Sequence, residues 1–282
     1  MKNKLFILLL ALLLLSGCGK NTSGKIHIAA TTKPVCYFAQ ELCSGTGLEI
    51  TPLITESVSC LHDYSLSVDQ VRAAESAELI LCSGAGLEHF MEDILDGKDT
   101  VDSSDGLSFL VSDDDPDEPD PHIWLSPENA KAMVSNLAAG LCRQYPEYSS
   151  FFKTNEAHLH TRLDTLLLYG QEQLSDLSCR DLITFHDGFA YFAQAFDLNI
   201  LEAIEEEAGS EASARELIRL IQIVQERRLP AIFTETNGSP SAASVISAET
   251  GAKVFSLDMG MSDLDYFDCM YHNINTVKEA LG

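Results

Sequence analysis

Residues 147–177 hold one helical pattern, with Phe151, Leu159, Leu163, Leu166 and Leu174 recurring at helical spacing. A continuous helix of that length would run roughly 45 Å at about 1.5 Å per residue. Such a rod cannot be folded into a small core, so whatever lies on either side must be built around it. Both sides alternate between strand and helix patterns. The first side reads as strand 25–30, helix 34–42 opened by Pro34, strand 48–54 interrupted by Pro52, helix 68–77, strand 78–82 and helix 86–95. A helix over 127–143 follows, with Ala130, Met133, Leu137 and Leu141 on one face, and a turn at Gln144-Tyr145-Pro146. The second side reads as strand 181–185, helix 189–196, strand 198–201, helix 211–227, strand 231–234, helix 239–250, strand 253–257 and helix 264–281. Alternation of this kind demands a mostly parallel sheet covered by helices. The expected fold is therefore α/β, with two lobes of mostly parallel sheet flanked by helices and joined by a long rigid helix. The divisions are an N-terminal lobe over 25–146, the interlobe helix over 147–177 and a C-terminal lobe over 178–282.

The N-terminus places the chain. Lys2 and Lys4 precede an apolar run over 5–15 that is too short to span a bilayer. It ends in Leu15-Ser16-Gly17-Cys18, which resembles a bacterial lipobox. The expectation is a signal peptide over 1–17, cut before Cys18, with diacylglycerol on the Cys18 thiol and a lipidated linker over 18–24. Two acyl chains anchor stably where one would not. The body would then be extracytoplasmic, tethered to the cell membrane by its lipid. No other apolar run is long enough for a membrane helix. The net charge is −25, and loss of Lys2 and Lys4 takes it to about −27. That charge disfavours nucleic acid and anionic surfaces as partners and draws cations. Loss of Cys18 to lipid leaves seven of the eight cysteines, an odd number, and none forms a C-x-x-C pair. A thiolate zinc site of usual spacing is thus unsupported. Several cysteines fall in apolar patterns and read as small core residues.

Three histidines lie in loops at or near strand ends: His62, His122 and His186. Asp258 follows the apolar run 253–257. Residues so far apart cannot form a local finger, and they meet only if the fold brings distant loops to one cleft. In open α/β sheets ligands bind beyond the carboxyl ends of the strands. His186 and Asp258 follow such ends in the second half, while His62 and His122 lie in loops of the first. Imidazole suits zinc and other first-row metals, and a carboxylate offsets part of the charge. The reading is capture of a divalent metal between the lobes, and four protein ligands leave no open position for catalysis. Taken singly, each histidine reads first as a surface or satisfied core residue. Asp258 alone reads as a loop or capping residue. His158 and His160, two apart on a helix, do not form a chelating pair.

The motifs around these residues resemble one family. His62-Asp63-Tyr64, Asp120-Pro121-His122-Ile123-Trp124-Leu125-Ser126-Pro127 and Thr184-Phe185-His186-Asp187-Gly188-Phe189-Ala190-Tyr191-Phe192 are similar to three ligand motifs. Gly84-Ala85-Gly86-Leu87-Glu88 and Ile232-Phe233-Thr234-Glu235 resemble intervening segments. Together they resemble the metal-binding solute-binding lipoproteins of the zinc/manganese ABC-transporter family, over residues 25–281. The resemblance implies a non-enzymatic receptor with His62, His122, His186 and Asp258 as metal ligands. It implies delivery of the metal to an ABC-transporter permease with its ATPase. Glu235 reads either as a supporting residue near the metal or as a structural strand-end charge. Zinc is the expected metal and manganese the alternative, since members resembling manganese importers often carry glutamate where this chain has His186. A metal-dependent hydrolase using Glu235 as base, and a surface adhesin with a structural metal, are the rival classes. Two features depart from the family. The acidic segment 112–121 stands in place of a histidine-rich loop, and Gly209-Ser210-Glu211-Ala212-Ser213 replaces a proline-containing motif.

Overall fold

A computed structural model of the protein describes residues 26–58, 61, 64–111, 119–204 and 212–282. The lipobox with Cys18, the ligand candidate His62, and most of the acidic segment lie outside them. The first sheet is formed by β1 (His27–Ala30), β2 (Glu49–Pro52), β3 (Leu79–Cys82) and β4 (Thr100–Asp102), in the order β2-β1-β3-β4 with all pairs parallel. Pro52 is tolerated because it closes an edge strand, where a missing N–H breaks no ladder. β4 has no counterpart in the sequence pattern. It is three residues long with only Val101 buried, too short for an alternation to register.

α1 (Lys33–Leu42) follows β1, capped by Thr32, whose side chain accepts the Val35 N–H. α2 (Val68–Ser76) begins with a reciprocal capping box between Ser67 and Gln70. The helix expected over 86–95 is broken into a 3-10 turn (Leu87–Met91) and one turn of α-helix, α3 (Glu92–Leu95). The Glu88 carboxylate explains the tight first part. It bonds back to the N–H groups of Ser83 and Gly84, which draws the chain in before a regular helix can begin.

α4 (Pro127–Gln144) starts with Ser126 as cap and Pro127 in its first turn. It runs antiparallel to α5 (Ser149–Gln173), the long helix of the sequence pattern, which is 25 residues long. Gly170 looks like a weak point in the sequence, yet the helix passes straight through it. A Cβ there would meet the Phe196 ring at 2.2 Å, so glycine is what lets the aromatic pack onto the helix.

The second sheet comprises β5 (Asp181–Thr184), β6 (Asn199–Ala203), β7 (Ala231–Glu235) and β8 (Lys253–Leu257), parallel in the order β6-β5-β7-β8. Its helices are α6 (Ala190–Ala195), α7 (Ala214–Arg227), α8 (Ser241–Thr250) and α9 (Tyr266–Leu281). α7 starts at Ala214 and not at 211, because Ser213 and Glu216 form a capping box.

One apolar core runs through both halves. It joins Phe38, Leu137, Leu163, Leu166, Phe192, Phe233 and Ile274, all buried. Each such side chain contributes roughly 1.5–3 kcal/mol when removed from water. Aromatic contacts cross between α1 and α9, with Phe38 and Tyr266 rings 4.6 Å apart. Arg162 of α5 sits 3.9 Å over the Phe267 ring and pairs with Glu41 of α1. The long helix is therefore fastened to both halves along its flank, which limits how far one half can swing against the other.

Candidate metal centre

His122 lies in the loop that leads into α4, and its position is fixed from one side. Nδ1 stands 2.8 Å from Oδ1 of Asp120, and the His122 backbone N–H donates to the same oxygen at 2.9 Å. A carboxylate only accepts, so Nδ1 is the donor of this pair, and Nε2 lies on the opposite side of the ring. His122 is 4% exposed, and its ring meets Trp124 edge to face at 5.5 Å.

His186 follows β5. Its ring is 5.3 Å from that of His122, at 85°. Nδ1 of His186 faces Oε2 of Glu235 at 3.7 Å, beyond hydrogen-bond length but within ion-pair range. Glu235 closes β7 and is 3% exposed. Two imidazoles thus converge, each with a carboxylate on its Nδ1 side. At His122 the contact is a hydrogen bond of the kind that orients metal-ligating histidines; at His186 it is an electrostatic neighbour only. Gly188 gives them room: a Cβ there would lie 2.8 Å from His186 Cδ2, 2.9 Å from His122 Nδ1 and 2.3 Å from Met259 Cε.

Asp258 follows β8 and is 1% exposed. Its Oδ1 accepts the Gly260 N–H at 2.8 Å, and its Oδ2 accepts the Ser262 hydroxyl. Asn273 of α9 clamps the backbone, accepting Asp258 N–H at 2.8 Å and donating to Asp258 O at 2.7 Å. Each carboxylate oxygen keeps a second acceptor position. Among the described residues no three His, Cys, Asp or Glu side chains stand close enough to hold one ion. The structure thus pairs His122 with His186 and sets Glu235 beside them, but it does not draw Asp258 into a group of three with the two histidines.

The two halves are tied around this point. Trp124 Nε1–H donates to Met259 O at 2.7 Å, and Tyr266 O–H donates to Trp124 O at 2.8 Å. Tyr191 O–H donates to Asp120 O at 3.0 Å and accepts the Leu110 N–H at 2.9 Å. Burial pushes the Tyr191 phenol up to about 12, so it stays a donor. Asp120 and Tyr191 were not singled out from the sequence; their signal was their place inside the two histidine motifs. His160 instead contacts Ser135 Oγ and Lys131 O, and His158 is exposed on the long helix.

Known proteins share this architecture. Residues 28–280 match the family described as ZnuA, zinc-uptake complex component A, periplasmic. The manganese-binding lipoprotein MntA of Bacillus subtilis (strain 168) is 24% identical over 298 aligned positions, covering 97% of each chain. The high-affinity zinc uptake system protein ZnuA of the same strain is 23% identical, covering 98% of this chain and 97% of that one. A crystal structure of a ZnuA deletion mutant with zinc bound has a TM-score of 0.82 at 28% identity, over 91% of this chain and 98% of that one. The match begins within β1 and ends in α9, and on that ground the chain belongs to the ZnuA family.

Proposed function

We propose that this protein is an extracytoplasmic receptor that captures a divalent metal, zinc before manganese, and delivers it to an ABC-transporter permease driven by its ATPase. His62, His122, His186 and Asp258 are the ligands, and Glu235 orients His186. The observation that carries this reading is the pair of converging imidazoles, each with a carboxylate on its Nδ1 side. Nitrogen-rich sites favour zinc, and the intrinsic order of affinities runs the same way. Manganese stays as the second reading because the relative MntA is named for it. The metal is cargo, and no reaction is assigned. Glu235 beside Nδ1 of His186 fits an orienting carboxylate better than a general base. The anchor is the lipid on Cys18, and MntA is likewise named a lipoprotein.

Metal analysis of protein purified without chelator, followed by competition, tests the reading. One equivalent of zinc, retained against manganese at comparable concentration, is expected. Manganese displacing zinc there would leave the manganese receptor standing. A Cys18→Ser chain should leave the membrane fraction; firm attachment would refute the anchor.

A further inference from the structure

Lys33 occupies the first position of α1, directly after the Thr32 cap. Backbone N–H groups give that end a positive partial charge, so a cation is disfavoured there, and the first turn holds no acid to offset it. A residue set against its local environment calls for a tertiary reason.

The reason lies in the other half of the chain. Lys33 Nζ donates to Ser262 O at 2.8 Å, a part-buried bond spanning 229 residues. Nζ also stands 3.4 Å from Asp263 Oδ1, but the Asp263 side chain is 94% exposed, so that ion pair adds little. The Ser262 hydroxyl accepts the Leu264 N–H at 3.1 Å, which turns its one proton onto Oδ2 of Asp258. Lys33 therefore pins the carbonyl of a residue whose hydroxyl holds the Asp258 carboxylate. An open groove of about 340 Å³ runs alongside, lined by Tyr37, Gln40, Ile54, Leu264 and Tyr266 among others. Met259, Gly260, Met261 and Ser262 are buried, while Asp263, Leu264 and Asp265 are exposed, so the Lys33 bond holds the turn where it leaves the buried part.

We propose that Lys33 is a positioning residue for the metal site, acting from the first half of the chain through Ser262 on the carboxylate of Asp258. The proposal rests on the reading of Asp258 as a ligand. Without Lys33 the stretch over 262–264 gains freedom, the Ser262 hydroxyl loosens its hold on the carboxylate, and the metal leaves sooner.

Cobalt(II) is the probe, since its visible spectrum reports coordination geometry and its release to a chelator can be timed. Lys33→Met and Ser262→Ala should each speed release roughly tenfold, the scale of one hydrogen bond to a charged group. Both should change the cobalt spectrum in the same way, and the double variant should be no faster than Ser262→Ala. Lys33→Arg, which keeps a donor, should recover slow release, and Asp263→Asn should change the rate less than about twofold. A Lys33→Met protein with wild-type rate and spectrum overturns the proposal. So do effects of Lys33→Met and Ser262→Ala that simply multiply. His186→Ala separates the two levels. If it loses cobalt while Lys33→Met is silent, only the positioning role fails; if it keeps cobalt, the site itself is wrong.

Discussion

Asp120 holds His122 by two bonds to a single oxygen: Oδ1 lies 2.8 Å from the ring Nδ1 and 2.9 Å from the backbone nitrogen. The carboxylate thus sets both the tautomer and the direction of the ring. Asp120→Ala should weaken metal binding about 10- to 100-fold, as outer-shell losses do. Titration calorimetry with zinc measures it. Affinity equal to wild type would show that the ring needs no carboxylate to present Nε2.

Gly188 should be sensitive for a steric reason. In Gly188→Ala the new methyl meets both imidazoles and Met259 Cε. The Met259 side chain is flexible and can yield, whereas the His122 ring is held by Asp120 and any shift of it breaks that bond. Metal affinity should fall by more than tenfold, on the scale of roughly 1.4 kcal/mol or more, with a smaller loss of thermal stability. A variant that melts early but binds zinc normally once folded would contradict this.

Glu88 supplies a pH signature. Burial raises its pKa above the usual carboxylate value, against the lowering effect of bonds from Thr31 Oγ1 and the Ser83 and Gly84 N–H groups; the nearby Asp102 charge adds to the rise. A folded-state value above the unfolded one means that the folded chain holds the proton more tightly. The stability from this group is complete below about pH 4.5 and is lost as pH climbs through the raised value. The slope is at most about 1.36 kcal/mol per pH unit. Urea melts from pH 4.5 upward should show Glu88→Gln without this component. Parallel curves for the two proteins would mean that Glu88 ionises as freely folded as unfolded.

The described cysteines are free thiols, and four of them are buried: Cys36, Cys43, Cys82 and Cys269. Burial pushes Cys36 up to about 11 and Cys43 up to about 12, and raises Cys82 and Cys269 as well. Only a thiolate attacks a disulfide reagent. At pH 8 the half-buried Cys142 and Cys179 should react first, and the buried four at least about a hundredfold more slowly until the chain unfolds. Rapid reaction of all thiols in the native protein would refute this.

The regular elements were largely legible in the chain, because side-chain periodicity and caps are local. The long helix, α4 with Pro127 in its first turn, and β8 all appear where the apolar spacing puts them, with ends shifted by a few residues. His122 and His186 stood out for the same reason, as short motifs next to strand and helix ends. The tertiary structure decided what local pattern cannot carry. β4 exists only because β3 offers it an edge. Gly170 reads as a flaw until the Phe196 ring is seen to fill its place. Asp120, Tyr191 and Glu235 acquire their relations to the histidines from loop geometry, and Lys33 meets Ser262 across 229 residues. Periodicity records which face of an element is buried, whereas a site is made by the angles at which separate elements end beside one another, and those are set by packing across the whole core.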